Sequence, residues 1–560
     1  MSMIATFDND LEEVKLVGDR TATLNSEDDE EEHSGNELCP KVEDNETSNF
    51  TASEVMTWYV WLAAAMAALG GILFGYDVGI ISGALLQLKC DFDMTLTERE
   101  WVISSMLVGA IVASLTGGFL IDFVGRRATI IANSCIFIVG AIILATAHTY
   151  SVLVIGRLIV GFGVSLSAIA ECIYISEIAP VSRRGMLVSL NEFGITAGFL
   201  LAYLANFVFI NVDSGWRYMF GLSAIPSTIQ GIGMLKLPLS PRYLVLRNQN
   251  EKARMVLQKL RGTLDVQKEL DSIKSILVSQ QKTSVLMLFM PNQNMRYRMF
   301  IAVSLILLQQ FTGQPNVLYY ASTIFEQIGF SSDVAAARGT FFLGLTKVAA
   351  ATVALLFVDR AGRRKFILVG AIGMMISVGS MGIALAHAGI QKPVEKLCTE
   401  TNTTMASFAN TTEGSGIPDA AKFTSLIGLL MFVAFYGIGF GPVTWIILSE
   451  IFPVELRGRA FAIATVANWS SNLIVSATFL DIFRTFGVAA TFLMYASTCL
   501  ISVLFIFVFV PETKNRSLEQ ITSQLGSKHP SLVRKCRELC CGDNRKSYLG
   551  ITSLGNSKSV

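Results

Sequence analysis

The chain has 560 residues, 52% of them hydrophobic and 16% charged, with 44 Lys and Arg against 44 Asp and Glu. A mean hydropathy of +0.52 excludes an ordinary soluble domain and indicates a polytopic membrane protein whose first partner is the lipid bilayer. Zero net charge gives no reason to expect nucleic acid, and nine cysteines without a CxxC pair or ligand spacing leave no metal or cofactor to expect.

Residues 1–57 are polar and acidic, with the run Glu27-Asp28-Asp29-Glu30-Glu31-Glu32, and read as a disordered tail. The first apolar run begins near Trp58, too deep for a signal peptide, so the first span must also direct insertion. Twelve apolar runs follow, at about 58–88, 100–121, 128–147, 150–171, 187–209, 216–237, 299–323, 335–358, 366–388, 422–448, 459–483 and 488–510. The expected fold is all-α and polytopic: twelve transmembrane helices in two six-helix halves, 58–239 and 299–510. Between the halves, 240–298 is charged and helically periodic over Asn250–Leu260 and Val266–Val278, which predicts short interfacial helices. Residues 511–560 form a second polar tail.

Basic residues fix the orientation. Arg126-Arg127, Arg183-Arg184, Arg363-Arg364-Lys365 and Arg457/Arg459 all fall on one side, with the central stretch, and the other loops are poorer in Lys and Arg. Both termini are therefore expected in the cytosol of a multi-pass cell-membrane or endomembrane protein. The loop 389–421 faces outside, where the sequons at Asn402 and Asn410 are acceptors for glycans. Cys90 and Cys398 both fall near the outer face, which leaves a bridge between them open.

The halves repeat one another. Asp122-Phe123-Val124-Gly125-Arg126-Arg127 returns as Asp359-Arg360-Ala361-Gly362-Arg363-Arg364. The stretch Ser176–Gly185, with Glu177 and Arg184, returns as Ser449–Gly458, with Glu450 and Arg457. Two parallel six-span repeats around a midplane site suit alternating access. The matched acids and arginines predict charge networks on the cytosolic face that latch the halves together when the cavity faces outward.

The seventh run carries the densest polar cluster. Gln309, Gly313, Asn316 and Tyr320 fall at i, i+4, i+7 and i+11, one helical stripe, with Gln310 and Gln314 about 100° around. Pro315 leaves the Phe311 carbonyl without its helical donor, so the helix should open there. Amides donate and accept, which suits a neutral polyhydroxyl ligand. The same amides could instead only bond neighbouring helices.

These residues resemble the sugar-porter family of the major facilitator superfamily over about 58–520. The repeated D-x-x-G-R-R loops, Ser240-Pro241-Arg242 and Pro511-Glu512-Thr513-Lys514 carry the resemblance. Thr312–Asn316, Leu190-Asn191-Glu192, Gly441–Trp445 and the long loop after span nine make it most similar to class III facilitative hexose transporters. Leu239 stands where the family usually has Glu, which weakens one cytosolic contact. The resemblance implies a hexose transporter, with glucose foremost and no enzymatic activity. It implies sugar contacts at Gln309, Gln310, Gln314 and Asn316, a sugar-facing indole at Trp445, and the span-eleven pair Asn468 and Trp469. Glu192 and Lys347 replace a Gln and an Asn of the commoner pattern, and are expected to approach each other across the halves and share sugar hydroxyls. Gly437 replaces a span-ten Glu.

Asp77 stands where pure facilitators of the family commonly have Asn and proton symporters have Asp, and Arg157 matches the partner arginine, which implies proton coupling. A permanently ionised pair that only tethers helices is the alternative. Glu171 is a second carboxylate in span four, for packing or for a proton route. A proton-coupled polyol carrier (myo-inositol) and a dehydroascorbate carrier remain open, since these ligands are equally hydroxyl-rich; a non-transporting sugar receptor is the remaining class.

Overall fold

The structure, a computed structural model, describes residues 57–180, 183–281, 285–289, 294–330, 332–389 and 418–514. Asn402, Asn410 and Cys398 lie outside the described residues, as does the side chain of Asp359. The first half contains α1 (Trp58–Gly79), α2 (Ile81–Asp91), α3 (Leu96–Val124), α4 (Arg126–Ala145), α5 (Tyr150–Ile178), α6 (Arg184–Phe209), α7 (Gly215–Gly221) and α8 (Ala224–Leu235). The connecting stretch holds α9 (Pro241–Leu246), α10 (Asn250–Arg261) and α11 (Gln267–Gln281). The second half contains α12 (Met295–Phe311), α13 (Gln314–Tyr319), α14 (Ala321–Ile328), α15 (Asp333–Ala361), α16 (Arg363–His387), α17 (Asp419–Phe435), α18 (Gly441–Ile451), α19 (Val454–Ala477), α20 (Phe479–Phe486) and α21 (Val488–Phe509). A π turn, Tyr436–Phe440, joins α17 to α18.

Ten helical stretches among the described residues are long and apolar enough to cross a membrane. The sixth and seventh spans are assembled from pieces, α7–α8 and α12–α14. Long helices start at polar caps that satisfy their first N–H groups. Thr95 and Glu98 form a capping box on α3, with the Thr95 N–H donating to Glu98 Oε2 at 2.8 Å. Ser240 caps α9 and Ser332 caps α15. A single glycine turns the chain between α3 and α4 (Gly125, φ 98°) and between α15 and α16 (Gly362, φ 94°), a left-handed conformation that costs other residues about 1–2 kcal/mol. Where α1 crosses α6, backbones nearly touch. A Cβ on Gly75 would come within 1.9 Å of the Ile195 carbonyl oxygen, and one on Gly198 within 2.2 Å of that of Ile72.

The halves meet along α6 against α15 and α3 against α19. At the face opposite the arginine loops they are tied by polar contacts. Lys89 pairs with Glu326 at 3.3 Å, and the Ser82 and Ser322 hydroxyls share a 3.0 Å bond. Glu100 Oε1 accepts the Leu480 N–H at 2.8 Å and the Asp481 N–H at 3.3 Å, at the start of α20. The Tyr203 hydroxyl donates to the Leu318 carbonyl at 3.1 Å. Cys90, near this face, is disulfide-bonded.

On the arginine face the charged groups pair with nearby helix ends. Arg126 bridges Asp122 (2.9 Å) and Glu177 (3.1 Å), and Ser240 also donates to Glu177. Arg363 pairs with Glu450 at 3.1 Å, and Glu512 accepts the Arg363 and Arg364 N–H groups at 3.0 and 3.2 Å. Arg127 donates to the Met234 and Leu235 carbonyls, and Arg364 donates to that of Phe507 at 2.5 Å. Arg457 reaches the Phe452 carbonyl at 3.5 Å. Arg184 is exposed and has no ion pair among the described residues. Each of these contacts lies within one half. The one-glycine turns fold Arg126 and Arg363 back onto helix ends of their own half, and the latch between the halves is an expectation for the outward-facing state.

Candidate functional site

The seventh span is broken twice. Gly313 takes φ 84° and ends the register of α12, and Tyr320 separates α13 from α14. Pro315 lies in the first turn of α13, where its missing N–H leaves no helical bond unmade. The break is thus a left-handed glycine followed by a new helix, and the single stripe expected over Gln309–Tyr320 does not persist. Its two ends face different neighbours.

On the α12 side, Gln309 Nε2 donates to the carbonyls of Phe440 (2.9 Å) and Gly441 (3.2 Å). Those carbonyls border the π turn and Pro442, where regular helical bonding is interrupted. Gln310 Nε2 donates to Asn468 Oδ1 at 2.6 Å and lies 3.5 Å from Gln309 Oε1. An amide chain thus joins α12, α18 and α19. Gln309 and Gln310 are buried, whereas Asn468 is half-buried. Trp445 is half-buried one turn into α18, its ring 5.9 Å from that of Phe461. Trp469 is buried, 5.9 Å from Phe74 of the other half.

On the α13 side, Asn316 turns into the packing of its own half. Its Nδ2 donates to the Val475 carbonyl at 3.0 Å and to the Tyr495 hydroxyl at 2.8 Å. The Tyr320 hydroxyl donates to the Ser476 carbonyl at 3.2 Å. Gln314 is buried at the start of α13. Asn316 therefore clamps α19 and α21.

Glu192 and Lys347 come from α6 and α15, which pack closely because Gly344 leaves no Cβ against Tyr203 and Leu200. The two charges feel each other, but among the described residues they form no ion pair within 4.0 Å. Glu192 is exposed, and the buried Lys347 ammonium sits 3.5 Å from the centre of the Phe199 ring. The two groups thus approach each other across the halves without a direct ion pair, the cation resting on an aromatic face.

Asp77 and Arg157 are fully buried. The guanidinium does not meet the carboxylate: Nη1 donates to the Asp77 backbone carbonyl at 3.1 Å and Nε to that of Val102 at 3.4 Å. Neither Asp77 carboxylate oxygen has a hydrogen-bond partner among the described residues. Ser223 lies beside it, but its hydroxyl donates to the Phe220 carbonyl at 2.9 Å.

Three residues at the site escaped the sequence reading. Tyr319, buried, lies beside Asn472 of its own half and within electrostatic reach of Arg157 of the other. Phe199 holds the Lys347 cation. Glu100 looked like part of the polar start of a span. The adjacent Tyr319-Tyr320 pair at a helix break was the one visible signal.

The sequence matches the family model described as sugar (and other) transporter over residues 63–525. It is 40% identical over 526 residues to human solute carrier family 2, facilitated glucose transporter member 12, covering 83% of this chain and 85% of that protein. Member 10 from Xenopus laevis is 39% identical over 542 residues, covering 87% and 96%. Among solved structures, a partially occluded inward-open form of the xylose transporter XylE from E. coli superposes with TM-score 0.68 at 29% identity, covering 82% of this chain and all of that one. The proton:xylose symporter XylE bound to 6-bromo-6-deoxy-D-glucose gives TM-score 0.67 at 29% identity, covering 84% and 99%.

Proposed function

The chain belongs to the sugar (and other) transporter family, and from that premise we propose that it carries a hexose, glucose foremost, across a membrane by alternating access. The observation that carries this reading is the amide chain Gln309–Gln310–Asn468 beside Trp445. The free lone pairs and N–H groups of Gln310 and Asn468 are available to sugar hydroxyls, and the indole offers a face to the C–H side of the ring. Glu192 in the open cavity adds a strong acceptor, and Lys347 a donor that is released when its aromatic seat is vacated. Gln309, Gln314, Trp469 and Asn316 shape the pocket from behind.

The contacts at the face opposite the arginine loops support a state in which the cavity opens toward those loops. With the arginine loops in the cytosol, as the basic residues favour, both termini are cytosolic and the state faces inward. The loop carrying Asn402 and Asn410 then lies outside and bears glycans. Residues 58–239 and 299–510 act as the rocking halves, with 240–298 between them and tails at 1–57 and 511–560.

Transport is coupled to a proton at Asp77. A fully buried carboxylate without a partner, next to an arginine held by backbone carbonyls, is a site a proton can fill and vacate as Arg157 moves. The test is radiolabelled hexose uptake into proteoliposomes, with a panel of sugars and polyols as competitors and with or without an inward proton gradient. Hexoses compete and the gradient drives accumulation. Competition by myo-inositol alone would reassign the substrate, and indifference to the gradient would make the protein a facilitator.

A further inference from the structure

Away from the cavity, α1, α5 and α8 enclose a buried polar seam. Ser223, at the N-cap of α8, and Ser227 and Gln230 within it fall at i, i+4 and i+7, and all three are buried. One end of this stripe lies beside Asp77. At the other end Gln230 Nε2 donates to Glu171 Oε1 at 2.9 Å and to the Ala67 carbonyl at 3.3 Å, while its Oε1 accepts from Ser134 at 3.2 Å. The Ser167 hydroxyl donates to the same Glu171 Oε1 at 2.6 Å. Glu171 Oε2 is buried with no partner among the described residues. The carboxyl lies against Gly70, where a Cβ would fall 1.5 Å from Oε1. Gly70 and Asp77 are seven residues apart on α1, the same face two turns along, roughly 10 Å.

No lysine or arginine pairs with Glu171 within 4.0 Å among the described residues. The nearest titratable groups are the Cys172 thiol, which accepts from Asn191 on α6 at 3.3 Å, and Glu192 beyond it. From α1 and α8 it is faced by Gly70 and Gln230. An ionised carboxylate in such a place has two donors on one oxygen and nothing on the other, whereas the neutral acid places its O–H on the bare oxygen.

We propose that Glu171 is a second proton-binding site that exchanges its proton with Asp77 and is positioned by Ser167 and Gln230. In the transfer the Asp77 O–H bond breaks and its electron pair stays on a carboxylate beside Arg157. The proton released there ends in an O–H bond at Glu171 Oε2; the Ser223 and Ser227 hydroxyls, which donate to the Phe220 and Ser223 carbonyls, line the polar seam between the two carboxyls. Glu171 lies nearer the arginine face than Asp77 does, so the seam leads the proton toward the side on which the cavity opens. The proposal rests on the proton-coupling reading, and its test separates the two.

Full-length protein in proteoliposomes is given an inward proton gradient while hexose and internal pH are followed together; pH-difference infrared spectra are recorded on the same material. Lack of any gradient response in the wild type sinks the coupling reading, and the infrared band alone then judges Glu171. The expected result is a protonated-carboxyl C=O band that persists in Asp77→Asn and vanishes in Glu171→Gln. In a coupled wild type, Glu171→Gln also cuts gradient-driven accumulation about tenfold or more while sugar counterflow continues. If Glu171→Gln does not fold, Ser167→Ala decides through a shift of the carboxyl band together with reduced accumulation, since Ser167 donates to Glu171 Oε1 at 2.6 Å. A band unchanged by Glu171→Gln, or a coupled wild type whose accumulation survives both variants, overturns the proposal and leaves Glu171 a packing group.

Discussion

Gln310 shows how little freedom a buried amide has. Its amide nitrogen is held at 2.6 Å by Asn468, so its carbonyl oxygen points one way only, and a sugar hydroxyl must come to it. Gln310→Ala removes that acceptor and leaves Asn468 Oδ1 without its donor. Losing about 1–2 kcal/mol raises the half-saturation concentration for hexose about tenfold, read from initial uptake rates. Asp77→Asn keeps the side-chain volume but takes no proton. It should abolish accumulation driven by a proton gradient and flatten the dependence of uptake on external pH, which in the wild type rises as pH falls. Sugar counterflow measured alongside separates this from misfolding. Gln310, Trp445 and Asp77 were legible in the sequence as candidates because such side chains inside apolar runs stand out. The partners were not. Nothing along the chain says that Gln309 serves two carbonyls of α18, or that Phe199 seats Lys347, because those neighbours are over 100 residues away.

At the scale of one element, the seventh span turns on Gly313. Its φ of 84° excludes other residues at modest cost, and a Cβ would also fall 2.5 Å from the Tyr495 ring. Gly313→Ala therefore combines backbone strain of about 1–2 kcal/mol with a forced shift of α21. The expected outcome is a lower melting temperature in detergent and a marked loss of uptake; unchanged values for both would mean that the break is not held as described. Gly, Pro and Asn in sequence announced an interruption here. They did not announce its form. Proline suggested an opened helix with a continuous polar stripe, whereas the glycine rotates the chain and sends Asn316 to α19 and α21. One dihedral set which helices the Asn316 amide reaches.

For the whole molecule, the repeat of Asp-x-x-Gly-Arg-Arg made the two-half architecture readable before any coordinates. Which face is closed was not readable, since the same residues serve every state of the cycle. Closure rests on few polar contacts, chiefly Lys89–Glu326 and Glu100 on the α20 backbone. Glu326→Gln with Glu100→Gln weakens them, so the population moves toward opening on that face. A cysteine placed in the cavity should then label several-fold faster with an impermeant reagent added from that side, and an unchanged rate would dismiss the contacts as gates. The arginines carry a different consequence. Arg126 and Arg363 each brace their own half, and each half keeps its own helix-end contacts. Chain continuity between α11 and α12 is then a convenience of synthesis. Two polypeptides cut there and co-expressed should complement each other and restore uptake, while neither does so alone.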